Sequence, residues 1–134
     1  MSNSLSKYEV IIFDSDGVIL NSNILKEKAF LKLTKEFKIN ISETKLNNLL
    51  YNFKGKSRYE IIKYISLLEA NNNNLYKELL LRYSVLVNDE LLSCESSKNL
   101  ASLREKNNSL WLVLTAGDQK ETITIYKKKG IYDF

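Results

Sequence analysis

Apolar positions along the chain fall into two kinds of run. Tyr8-Glu-Val-Ile-Ile-Phe13 is short, β-branched and aromatic, and it stops at Asp14-Ser-Asp-Gly17. A continuous apolar run of that length, bounded by turn residues, predicts a buried parallel strand. Leu110-Trp-Leu-Val-Leu114 is a second such run, broken by Thr115-Ala-Gly117. The stretch between them has the spacing of helices. Ser22 or Asn23 is placed to cap a helix whose stripe is Ile24, Phe30, Leu33 and Phe37. Ser42 precedes Leu46, Leu49 and Leu50, and Ser57-Arg-Tyr-Glu60 reads as a capping box ahead of Ile61, Ile62 and Ile65. Asn71-Asn-Asn-Asn74 reads as a turn or linker, Leu75 to Leu92 as a further amphipathic helix, and Ser97 to Lys106 as a short one. After the second strand Asp118 is placed to cap a last helix, with Glu121 in its first turn and Gly130 where a terminating glycine belongs.

The order is therefore strand, long helical insert, strand, helix, which predicts an α/β fold. Residues 1–21 and 97–134 are expected to form the sheet-bearing part and residues 22–96 the insert. Such strands lie side by side in a parallel sheet and present ligand sites at their carboxyl ends. Two parallel strands are few for an independent domain, so the core is expected to be incomplete. Ile131-Tyr-Asp-Phe134 should lead toward a further strand, and the open edge of the Leu110–Leu114 strand is a place for self-association.

Composition narrows the chemistry more than the fold. The chain has 134 residues, no histidine and a single cysteine, Cys94. Histidine triads, phosphohistidine relays and histidine-rich metal sites are excluded, and Cys94 has neither a disulfide partner nor an imidazole to activate it. The net charge of +4 is spread along the sequence. It predicts no nucleic-acid partner, and Lys127, Lys128 and Lys129 suit the end of a helix, where cations complement the macrodipole. No secretory leader or membrane-length apolar run is visible, so a cytoplasmic location and no membrane partner are expected.

Two carboxylates carry the candidate chemistry. Asp14 and Asp16 stand two apart just past a strand, a spacing that points both to one side of an extended segment. One carboxylate in such a pair can attack phosphorus. The other can protonate the leaving oxygen and then deprotonate water. Gly17 permits a tight turn, although Asp-Gly is also an ordinary turn pair. Thr115 lies just past the second strand, where its hydroxyl and the amides of Ala116 and Gly117 can donate to a phosphate. In the insert, Gly55-Lys-Ser-Arg-Tyr59 places Lys56 and Arg58 by a helix start. They are either substrate-reaching cations on a closing cap or solvated residues of an ordinary helix N-terminus.

Phe13-Asp-Ser-Asp-Gly-Val-Ile-Leu-Asn-Ser22 resembles the first signature of the haloacid dehalogenase superfamily, and Leu112-Val-Leu-Thr-Ala-Gly-Asp-Gln119 resembles the second. The likeness is greatest to the phosphoglycolate-phosphatase-like group, and the insert matches the position of that family's helical cap. The resemblance implies a Rossmann-like parallel core with an inserted α-helical cap, a Mg²⁺ cofactor, and hydrolysis of a small phosphorylated metabolite, such as a sugar phosphate, through an aspartyl-phosphate. It implies Asp14 as nucleophile and metal ligand, Asp16 as general acid/base with its backbone carbonyl on the metal, and Thr115 on the phosphoryl group. Asn21 departs from the aspartate that many relatives carry. The family's further lysine and acidic pair are expected after Phe134, which leaves an inactive chain, or a phosphotransferase or mutase fragment, as alternatives to a phosphatase.

Overall fold

The computed structural model describes residues 4–69 and 73–131. After a 3-10 turn over Ser4–Lys7, the elements run β1 (Val10–Asp14), α1 (Asn23–Glu36), α2 (Glu43–Asn52), α3 (Arg58–Leu67), α4 (Leu75–Ser93), α5 (Leu100–Glu105), β2 (Leu110–Leu114) and α6 (Gln119–Lys128). Two compact units result, Met1–Asn23 with Leu92–Phe134, and Ile24–Leu91.

In the first unit β1 and β2 pair in parallel, from Val10 opposite Leu110 to Asp14 opposite Leu114. Paired residues share a face, so Ile11, Phe13, Trp111 and Val113 look one way. Ile11 is buried there, and the rings of Phe13 and Trp111 lie 4.8 Å apart. The opposite face carries Val10, Ile12, Leu110, Leu112 and Leu114, all exposed. The expected buried strands are covered on one face in part, Ile11 buried, Phe13 and Trp111 half-buried and Val113 exposed, and on the other face not at all among the described residues. Helix α6 contributes Ile125 and Tyr126 to this unit's core. Asp118 caps it by accepting from the Glu121 amide at 2.9 Å. Gly130 follows with φ +69°, and the Ile131 amide returns to the Tyr126 carbonyl at 3.0 Å, closing the helix as a left-handed residue allows. Helix α5 is shorter than the pattern predicted. Asn99, at its N-cap, is left-handed with φ +70° and makes no side-chain capping bond.

The second unit is helical. Ala29, Phe30 and Leu33 of α1, Leu46 and Leu49 of α2, Ile61, Ile62 and Ile65 of α3, and Leu75, Leu79, Tyr83 and Val87 of α4 are buried. Phe30 stacks on Tyr83 at 4.2 Å, a pair that contributes roughly 1 kcal/mol beyond its area. Ser42 caps α2, and Ser57 with Glu60 forms the complete capping box of α3. Two details differ from the pattern. Ile24, in the first turn of α1, is 62% exposed and lies off the buried stripe. Ser22 spends its hydroxyl elsewhere, as described below. Asn73 and Asn74 form a turn, while Asn71 and Asn72, with Tyr132 to Phe134 of the expected strand entry, lie outside the described residues.

Candidate active site

The strand register brings the two signature segments together. Asp14 ends β1 opposite Leu114, and Thr115 is the next residue after that partner, so the carboxylate and the hydroxyl leave adjacent strands at the same edge. Past β1, Asp14 is exposed, Ser15 buried and Asp16 half-buried, but the strand ends at Asp14 and Ser15 already lies in a turn, so the extended spacing stops there. The Ser15 amide donates to Asp14 Oδ1 at 2.7 Å, which fixes that carboxylate. The Ser15 carbonyl accepts from the amides of Val18, Ile19 and Leu20, and the Gly17 amide donates to the Leu20 carbonyl at 2.7 Å. The loop is thus a closed hydrogen-bonded turn. Gly17 takes φ +77°, and a Cβ there would fall 2.5 Å from Asn23 Nδ2. The left-handed backbone calls for glycine, and any side chain there would also have to displace the end of the exposed Asn23 side chain. Outside the turn, Asn21 donates its amide to the Glu95 carbonyl, and Ser97 donates its amide to the Ile19 carbonyl.

Asp16 has a support that pattern reasoning missed. Ser22 is fully buried and donates its hydroxyl to Asp16 Oδ1 at 2.6 Å. Serine ahead of a helix suggests an N-cap, but here the hydroxyl holds a carboxylate six residues back. A second unforeseen contact joins Ser15 Oγ to the phenol of Tyr126 at 2.6 Å. Burial pushes the Tyr126 phenol above its ordinary value. The Ser15 bond opposes that, and the nearby Asp16 and Asp14 charges add to it, so the phenol stays neutral across the ordinary pH range.

At the second segment Thr115 Oγ1 accepts from the Gly117 amide at 3.0 Å. That contact leaves the Thr115 proton to donate outward. The Gly117 amide, expected to point at a phosphate, instead braces Thr115. Asp118 already caps α6 through the Glu121 amide, and Ala116 is exposed on the connecting loop. A cavity of about 670 Å³ beside β2 reaches Thr115 and Gly117, but Phe13, Trp111, Val113 and Ile123 make it apolar, and neither Asp14 nor Asp16 lines it.

Lys56 and Arg58 belong to the other compact unit. Lys56 is exposed and lies 3.7 Å from Glu60. Arg58 is only 8% exposed: its guanidinium sits 5.1 Å from the Tyr83 ring centroid and donates toward Ser84 Oγ at 3.4 Å. Neither a solvated surface position nor a substrate-reaching one describes that setting. The cation is part of the α3–α4 packing.

Among the described residues no group of three or more Asp, Glu, His or Cys converges as a metal cage. The donors at the loop are hard oxygens, which suit Mg²⁺, an ion that takes one or two carboxylates and keeps several waters. The residues present therefore fit a magnesium ion held largely by water.

Also among the described residues, no helix is long and apolar enough to cross a membrane. The chain is 32% identical over 63 residues to the 6-phosphogluconate phosphatase of Escherichia coli (strain K12), a match covering 47% of this chain and 27% of that protein. The chain thus aligns with about a quarter of that relative's length. The family model for haloacid dehalogenase-like hydrolases matches residues 11–134, taking in both signature segments and everything between them, and the chain belongs to that family.

Proposed function

We propose that the protein hydrolyses a small phosphomonoester of the sugar-phosphate kind through an aspartyl-phosphate on Asp14. The observation that supports this is the strand register, which sets Asp14 opposite Leu114, the residue before Thr115, with Asp16 two residues past the end of β1. Asp14 attacks phosphorus as the ester bond breaks, and Asp16 gives its proton to the departing alkoxide. Asp16 then takes a proton from water, the water oxygen bonds to phosphorus, and phosphate leaves with Asp14 restored. Thr115 donates its hydroxyl proton to a phosphoryl oxygen while Gly117 holds its oxygen in place. The Asp14 carboxylate and the Asp16 backbone carbonyl would hold Mg²⁺, whose chemistry is to offset the like charges of carboxylate and phosphate. The relative named a 6-phosphogluconate phosphatase supports a phosphorylated sugar or sugar acid as the substrate class. The same reading takes residues 22–96 as a cap, and the open edge of β2 as a place through which the chain associates.

The test is labelling and leaving-group dependence. Asp14→Asn should abolish both phosphate release and the hydroxylamine-sensitive label left by an activated phosphate donor. Asp16→Asn should slow alkyl phosphates far more than aryl phosphates, whose leaving groups need no proton. Full turnover in Asp14→Asn would sink the nucleophile, and equal losses on both ester types would remove the acid role from Asp16.

A further inference from the structure

We propose that Tyr126 is a positioning residue for the carboxylate pair, acting through Ser15, the residue between Asp14 and Asp16. This rests on the reading of those two aspartates as the reacting groups. Ser15 is 3% exposed and Tyr126 6% exposed, and their side-chain oxygens lie 2.6 Å apart across 111 positions of sequence. Either can be the donor.

Ser15 is the hub of the loop. Its amide holds Asp14 Oδ1, its carbonyl gathers the amides of Val18, Ile19 and Leu20, and its hydroxyl meets the phenol. A shift of Ser15 moves Asp14 directly, and it moves Asp16 through the next peptide. Tyr126 lies on α6, the helix that begins just after Thr115-Ala-Gly-Asp118. The phenol therefore couples the loop bearing both carboxylates to the helix that follows the phosphate-binding threonine. A phenylalanine would fill the same core volume, so packing alone does not call for the hydroxyl. Groups held in a reacting geometry lose rate steeply when misplaced by a fraction of an ångström to an ångström, and the loss falls on the chemical step.

The test uses Tyr126→Phe, Ser15→Ala and the double variant, with two readouts. In hydrolysis of p-nitrophenyl phosphate, Tyr126→Phe should lower kcat by about ten- to a hundredfold with KM within about twofold. Ser15→Ala should do the same, and the double variant should be no worse than the weaker single, because both remove one contact. Independently of turnover, side-chain carboxyl ¹³C spectra should show the Asp14 and Asp16 resonances moving in Tyr126→Phe while those of Asp89 and Asp118 stay in place. An unchanged kcat, a loss confined to KM, additive losses in the double variant, or unmoved Asp14 and Asp16 resonances would each overturn the proposal. If the unsubstituted protein releases no phosphate from any ester, the phosphatase reading fails, and the carboxyl spectra alone decide the positioning role. If Tyr126→Phe does not fold, Ser15→Ala carries the same two readouts.

Discussion

Removing one hydroxyl, Ser22→Ala, separates support of Asp16 from support of the fold. Ser22 is fully buried and donates to Asp16 Oδ1 at 2.6 Å, with a second, longer contact to the Leu20 carbonyl at 3.3 Å. A hydrogen bond to a charged group contributes roughly 1.5–3 kcal/mol. Asp16 is half-buried, so water recovers part of that, and a net loss of about 1–2 kcal/mol is the reasonable figure. Where the loss falls on the step that needs Asp16 oriented, it lowers the rate by about five- to thirtyfold. The variant should therefore behave as an attenuated Asp16→Asn. Alkyl phosphates, whose leaving groups need the proton, should slow by that factor, while aryl phosphates should slow by less than about threefold. Thermal melting should fall by only a few degrees, since about 1 kcal/mol shifts Tm by roughly 2–8 °C in domains of this general size. Parallel kcat measurements on the two ester types, with a melt of each protein, decide the matter. Equal slowing of both esters would refute the link from Ser22 to the proton-transfer step, and so would no slowing at all.

Gly17→Ala should destabilise the loop by about 1–2 kcal/mol from its positive φ alone, with a further cost for displacing Asn23; a denaturant midpoint equal to that of the parent would contradict this. Arg58→Ala should lower stability by roughly 1–2 kcal/mol through lost cation–π and stem packing on Tyr83, and Lys56→Ala should not; chemical denaturation of both reads the difference. Arg58→Ala with undiminished stability but a raised KM would return that residue to a substrate role. The exposed face of Val10, Ile12, Leu110, Leu112 and Leu114 should make the chain associate as concentration rises, and Leu112→Lys should reduce this; a single monomeric species in sedimentation across concentrations would remove the association.

The elements legible in the sequence are those whose signals are local. The second strand, the Ser42 and Ser57 caps, the Asp118 cap and the Gly130 stop each depend on a few neighbouring residues, and each forms where the pattern places it. The misses come from partners far along the chain. Ile24 has the right period for α1, but a residue in the first turn is buried only if something lies against that turn. Arg58 looks like a surface cation because arginine after a cap usually is one. Tyr83 decides otherwise, and no spacing rule links positions on separate helices.

The candidate site divides in the same way. Asp14, Asp16 and Thr115 stand out as candidates because they lie at or just past the ends of apolar strands, and parallel pairing then brings Asp14 and Thr115 to one edge without further information. The groups that hold them are not readable. A serine before a helix carries the same sequence signal whether its hydroxyl caps the helix or, as with Ser22, turns back to a carboxylate. A small polar residue between two aspartates looks like filler until α6 delivers a buried phenol to it. Reacting groups need particular side-chain chemistry, which sequence displays. Positioning groups need only a donor or acceptor at the right place, and any of several residue types can supply one. Their identity is therefore fixed by packing, and only the folded arrangement of Ser15, Ser22 and Tyr126 around the two carboxylates separates them from ordinary core residues.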